Sequence, residues 1–243
     1  MREVSRALVA VVVAVVSACM GIDFEPGLDG SGVAKSETRD VSGFDRVAVE
    51  DDFDVEVTVG PAASLSLTGD DNLLPHVRTE VQGGTLHVED ARELDPTETI
   101  RVRITIPMLR GLVSSGSSGV RATGIRSDSF GASLSGSGEM VADGDFGDLD
   151  ATISGSGMIR LQGTADEIDG SVSGSADLDL ARVAARRATV RVSGSGDVVV
   201  QVTESLDAEV SGSGDVRYLG TPRVEARTSG SGSVHRAQPE GDR

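Results

Sequence analysis

The sequence predicts an all-β protein, a single-stranded parallel β-helix (solenoid) with about 18–20 residues per coil. Three observations carry that expectation: a tripeptide recurring at near-constant spacing, strand-like alternation at fixed offsets around it, and no helical period between copies. Ser-Gly-Ser begins at Ser115, Ser135, Ser154, Ser173, Ser193, Ser211 and Ser229, in steps of 20, 19, 19, 20, 18 and 18 residues. From Ser135 onward the motif extends to Ser-Gly-Ser-Gly, except where Ala176 ends it.

The flanks repeat with it. Five residues before each later motif stand Phe130, Leu149, Ile168, Ala188, Leu206 and Val224. The residue directly before it is Leu134, Ile153, Val172, Val192, Val210 or Thr228. Five residues after the first Ser come Val120, Met140, Ile159, Leu178, Val198, Val216 and Val234. Alternation with polar residues is the period of a strand with one buried face. Gly124, Gly144, Gly163 and Gly220 recur nine residues after the first Ser and read as turns needing positive φ. One such coil cannot bury its apolar face alone, which explains the iteration. The general preference of parallel crossovers predicts a right-handed helix.

The elements divide the chain as follows. Residues 1–18 read as a signal peptide: Arg2 and Arg6, then a ten-residue apolar run from Ala7 to Val16, too short to cross a bilayer. Val16-Ser17-Ala18-Cys19 resembles a bacterial lipobox, so Cys19, the only Cys, is the candidate lipid-attachment residue. Residues 19–39, rich in Gly, Asp, Ser and Pro without an apolar period, read as a flexible tether. Residues 40–112 carry irregular strand signals, such as Phe53-x-Val55-x-Val57 and Ile100-x-Val102-x-Ile104-x-Ile106, and read as irregular first coils or a cap. Residues 113–236 form the regular solenoid and 237–243 a polar tail.

Composition narrows the function. With 39 acidic against 22 basic residues the formal net charge is −17, which disfavours nucleic acid as a partner. One Cys excludes an internal disulfide framework and multi-Cys metal sites. Without Trp and with one Tyr, the chain lacks aromatic platforms for stacking sugars or bases.

The repeated serines tempt a nucleophile reading. However, none of the three His (His76, His87, His235) recurs with the motif, so no base accompanies it. The columns Ser135, Ser154, Ser173, Ser193, Ser211 and Ser229 instead read as a stacked hydroxyl ladder, each Ser donating to one neighbour and accepting from another. Four residues after the first Ser lies an acidic column that includes Asp177, Asp197 and Asp215. Two readings of it stand: a solvated face neutralised by neighbouring Arg, and a Ca²⁺ site relieving repulsion between stacked carboxylates. The acid-rich stretch Glu50-Asp51-Asp52-Phe53-Asp54-Val55-Glu56 reads as a charged strand face rather than a hydrolase pair. Neither a catalytic residue nor a cofactor is assigned.

The chain resembles the bacterial auto-transporter adhesin head GIN domain family. The resemblance rests on Phe44-Asp45-Arg46-Val47, Gly69-Asp70-Asp71-Asn72-Leu73-Leu74, Gly84-Thr85-Leu86-His87-Val88, Ile104-Thr105-Ile106-Pro107-Met108-Leu109 and the iterated Ser-Gly-Ser-Gly. It implies an exported, lipid-anchored β-helix and supplies no catalytic residues. The expectation is a non-catalytic, adhesin-like binding or scaffold lipoprotein of the cell envelope. It would be held to the membrane through its lipid and partnered by an envelope protein or glycan. Alternatives are a polysaccharide lyase or hydrolase, and a structural β-helix that polymerises end to end.

Overall fold

The computed structural model describes residues 27–237. The expected signal peptide, Cys19 and nearly all of the polar tail lie outside the described residues. In chain order the strands begin with β1 (Leu28–Asp29), β2 (Ala34–Arg39), β3 (Arg46–Val49), β4 (Asp54–Val59) and β5 (Ser64–Asp70). After a 3-10 turn at Leu74–His76 come β6 (Val77–Gln82), β7 (Thr85–Asp90), β8 (Leu94–Asp95) and β9 (Arg101–Ile106). The solenoid follows with β10 (Gly111–Gly116), β11 (Gly119–Arg126), β12 (Ser129–Gly136), β13 (Glu139–Asp145) and β14 (Asp148–Gly155). It continues through β15 (Met158–Gly174), β16 (Asp177–Gly194), β17 (Val198–Gly212) and β18 (Asp215–Leu219). It closes with β19 (Arg223–Gly230) and β20 (Ser233–Arg236).

The repeat reads directly into the stack. β10, β12, β14, the second halves of β15, β16 and β17, and β19 pair in parallel, each with the next. A second parallel run joins β11, β13, the first halves of β15, β16 and β17, then β18 and β20. The two runs enclose one continuous apolar bore. Phe130, Leu149, Ile168, Ala188 and Leu206 are each no more than 4% exposed, as are Leu134, Ile153, Val172, Val192 and Val210. Burial on this interior face satisfies the usual requirement that parallel strands be covered. Phe130 and Phe146 meet inside it with ring centroids 5.3 Å apart.

The positive-φ expectation for the recurrent turn glycines holds at Gly124, Gly163 and Gly220 but not at Gly144. There the constraint is room. A Cβ on Gly144 would collide with the Ile125 carbonyl oxygen of the coil beneath.

The N-terminal region departs from a sequential stack in two ways. First, the coil made by β3 and β4 does not lie at the end. β3 pairs with β7 on one side and β10 on the other, and β4 lies between β9 and β11, all parallel. The earliest coil is thus inserted between a later one (β7, β9) and the first regular coil. Second, the expected tether is partly strand: Ala34–Arg39 pairs antiparallel with β5, and Leu28–Asp29 pairs with β8. Residues 27–39 therefore correct the flexible-linker expectation. Their polar sequence hid them because β2 covers an edge through its backbone and lends little apolar surface to the core.

This end is closed. β5 runs antiparallel to β9 and β6 antiparallel to β7, so that the solenoid finishes in crossed strands. Leu73, Leu74 and Val77 bury beneath them at no more than 2% exposure. Arg39 reaches from β2 to donate to the carbonyl oxygens of Leu74 (2.7 Å) and Val77, and to Thr79 Oγ1. The buried carboxylate of Asp70 accepts the backbone N–H of Gly32 (2.7 Å) and of Thr97 (2.9 Å), tying strap and loop together.

Candidate functional site at the serine–glycine corner

The corner after the first parallel run is set by backbone. Gly116, Gly136, Gly155, Gly174, Gly194, Gly212 and Gly230 all have φ between 101° and 130°. A Cβ on Gly155 would strike the Gly136 carbonyl oxygen below it, and the same holds up the column. Only glycine combines that conformation with that approach. The Gly carbonyls then accept the N–H of the second Ser one coil on, as in Ser137 to Gly116 (3.0 Å), Ser175 to Gly155 (2.8 Å) and Ser213 to Gly194 (2.8 Å).

The first serines stack in register as the repeat predicts, Ser115 on Ser135 on Ser154 and onward to Ser229. From Ser135 to Ser229 each is exposed, as is the second serine of every motif (Ser117, Ser137, Ser156, Ser175, Ser195, Ser213, Ser231). The expected hydroxyl-to-hydroxyl ladder is not made. Among the described residues these hydroxyls hydrogen-bond to no protein atom, and the connection between rungs runs through the backbone. Spacing gives the reason. Like rotamers on successive coils repeat at ~4.8 Å, whereas an O–H···O bond needs about 2.7–2.8 Å. The result is two parallel rows of unengaged hydroxyls flanking a bare glycine spine.

One rung differs. At the first corner Ser118 stands where later coils carry Gly or Ala and is fully buried. Its Oγ donates to the Asp51 carbonyl (2.9 Å) and accepts the Phe53 N–H (3.0 Å), stitching the inserted coil to the first regular one. Asp51 takes the left-handed corner conformation itself (φ 71°), and one of its carboxylate oxygens accepts the Asp90 N–H (3.0 Å). Among the described residues Asp90 Oδ1 is buried without a partner. Its desolvation, with the charges of Asp51 and Asp52 nearby, pushes its carboxyl up to about 6.

The acidic column has a role that neither sequence reading contained. Asp177 Oδ1 lies 3.4 Å from the Asp197 N–H nitrogen, Asp197 Oδ1 accepts the Asp215 N–H (3.0 Å), and Asp215 Oδ1 accepts the Ser233 N–H (2.9 Å). Each carboxylate thus stands in for a ladder carbonyl of the coil beneath. The Ser233 hydroxyl, also on Asp215 Oδ1 (2.8 Å), and that N–H hold the Asp215 carboxyl below the usual range. No group of three or more acidic, His or Cys side chains among the described residues is arranged to hold a metal ion. Asp177, Asp197 and Asp215 belong to no such group, and each turns one carboxylate oxygen to an amide of the next coil.

Elsewhere the outer face is neutralised by arginines. Asp169 pairs with Arg191 (3.0 Å), Asp207 with Arg227 (3.2 Å) and Glu167 with Arg187 (3.0 Å), each across coils. In the acid-rich stretch Asp54 meets Arg101 (3.2 Å) and Glu56 meets Arg103 (2.9 Å). These pairs are half-exposed and screened by solvent, so each adds little to stability.

The histidines stay apart from the corner serines. His76 ends the 3-10 turn, and His87 lines a shallow polar depression with Arg78, Glu80, Gln82 and Glu89. His235 Nδ1 lies 3.1 Å from Ser233 Oγ. Asp215, Ser233 and His235 thus touch, but the carboxylate holds the serine instead of orienting the imidazole, the reverse of a nucleophile relay.

The same solenoid recurs in known proteins. No curated protein matches the chain. A crystal structure described as a putative lipid binding protein from Parabacteroides distasonis ATCC 8503 is similar at a TM-score of 0.73 and 25% identity, covering 88% of this chain and 100% of that one. One described as a putative adhesin from Bacteroides fragilis NCTC 9343 has a TM-score of 0.76 at 21% identity, covering 87% and 100%. Another putative adhesin, from Parabacteroides merdae ATCC 43184, has a TM-score of 0.69 at 22% identity, covering 87% and 99%. The last two speak to fold alone. The family model described as "Putative auto-transporter adhesin, head GIN domain" matches residues 43–222, the inserted coil, its cap and most of the solenoid, and the chain belongs to that family.

Proposed function

We propose that this adhesin-family chain is a non-catalytic lipoprotein of the cell envelope, anchored through Cys19, whose solenoid presents its serine–glycine corner to an envelope protein or glycan. The observation that carries the reading is the pair of in-register serine rows, whose hydroxyls have no protein partner among the described residues and repeat on a stiff backbone spine. Such an array matches an extended polar ligand that itself repeats, and many weak contacts at fixed spacing add through multivalency. The lipobox-like Val16-Ser17-Ala18-Cys19 supports export and anchoring.

Two measurements test it. In a bacterial host the full chain should partition with membranes and incorporate a labelled fatty acid, and Cys19→Ser should abolish both. Immobilised full chain should retain a linear envelope polysaccharide or a specific envelope protein. The quadruple Ser154, Ser156, Ser173 and Ser175→Ala variant should retain far less at an unchanged melting temperature. Cleavage of the polysaccharide would instead favour the lyase or hydrolase reading.

A further inference from the structure

The two ends of the solenoid are unlike. At the N-terminal end β2 and β6 keep an unpaired outer edge among the described residues, but the core beneath them is sealed, with Leu73, Leu74 and Val77 buried. At the other end β19 pairs only with β17, and β20 only with β18, so among the described residues both carry an unpaired outer edge. The bore opens there too. Leu206, Ala208, Val210 and Val216 of the penultimate coil are no more than 1% exposed. Their counterparts one coil on are not sealed: Val224 and Val234 are half-buried, while Ala226 and Thr228 are exposed.

The sequence of β19 is complementary to itself when reversed. Laid antiparallel on a copy of itself about Ala226, it sets Glu225 opposite Arg227, Val224 opposite Thr228 and Arg223 opposite Ser229. Opposite charges then face each other on the outer side, and the inward side chains meet over the bore. Moving the centre one residue to Arg227 would oppose two arginines. Head-to-tail stacking finds no such match: of the two edge strands at the far end, β2 reads Ala-Lys-Ser-Glu-Thr-Arg and offers no apolar face, and the valines of β6 (Val77, Val81) already pack on their own core.

We propose that the open C-terminal coil is the docking surface for a second copy of this chain, joined about a two-fold axis through Ala226 with β19 of each subunit paired antiparallel. The contact is isologous, so it closes at two copies and leaves only capped ends outward. It also removes the exposed edge that would otherwise template aggregation.

The test uses the full chain carrying Cys19→Ser, so that lipid does not drive association. Sedimentation velocity should give a concentration-dependent species of twice the 25.0 kDa monomer. Arg227→Glu places like charges in both cross-subunit pairs and should weaken self-association about ten-fold. The double variant Glu225→Arg/Arg227→Glu should restore it. Arg227→Glu also loses the exposed pair with Asp207, so a melting curve accompanies each variant. Mixing Glu225→Cys with Arg227→Cys and oxidising should give a disulfide-linked dimer well above that of either variant alone, whereas Val113→Cys on an outer face should give none. A monomer at all concentrations, a ladder of larger species, or cross-linking no stronger than the Val113→Cys control would overturn the proposal.

Discussion

At the residue scale the corner separates two kinds of small residue. The glycines are fixed by φ and by a carbonyl oxygen beneath them, while the serines beside them face water. Gly155→Ala should therefore destabilise the protein by about 1–3 kcal/mol, whereas Ser154→Ala should stay within about 0.5 kcal/mol. Chemical denaturation of the pair checks the contrast. Asp90 supplies a pH signature. Its folded carboxyl sits near 6, above the unfolded value, so the folded chain binds the proton more tightly. Its stabilising contribution is complete below about 4 and disappears as pH rises through 6. Asp90→Asn should raise the melting temperature at pH 7.5 and flatten its pH dependence between 4 and 6.5. Asp70 and Asp215 shift the other way, held down mainly by hydrogen bonds from Thr97 and from Ser233. Their contribution is present above the ordinary carboxylate range and lost as pH falls below it.

At the element scale, side chains complete what the backbone ladder leaves undone. Asp197→Ala removes the acceptor for the Asp215 N–H, while Asp197→Asn keeps an oxygen there. The alanine variant should be the less stable by about 1 kcal/mol, read from paired melting curves. Arg39→Ala should raise amide exchange across the 3-10 turn and the start of β6, since Leu74 and Val77 lose their donor. Legibility follows from the same physics. The regular strands were readable because Leu134, Ile153, Val172 and their equivalents alternate in register with the motif. β2 was not, since a strand that covers an edge need show no alternation of hydropathy. The acidic column could be located in the sequence, yet its service to the next coil's amides was hidden. That service depends on where a carbonyl is missing, which only three dimensions reveal.

At the scale of the whole molecule, equivalent coils imply modularity with one exception. Deleting residues 158–176 joins Gly157 to Asp177, which occupies the position of Met158 one coil on. A shorter solenoid should result, with strand-type far-UV dichroism and a lower melting temperature. Deleting residues 46–59 removes a coil sandwiched between two others and should leave no cooperative transition. The family resemblance was legible in ordered short motifs. The insertion of the first coil was not, because nothing in Val47, Val49, Val55 or Val57 says which strands will flank them.

That insertion has a consequence for biogenesis. A chain leaving a ribosome or a translocation pore amino end first delivers β3 and β4 well before the strands on either side of them. It cannot lay down turns in order of emergence until Arg126 has appeared. Everything up to that point must assemble as one slow, long-range nucleus. Growth beyond it can proceed rung upon rung, each arrival templated by the last.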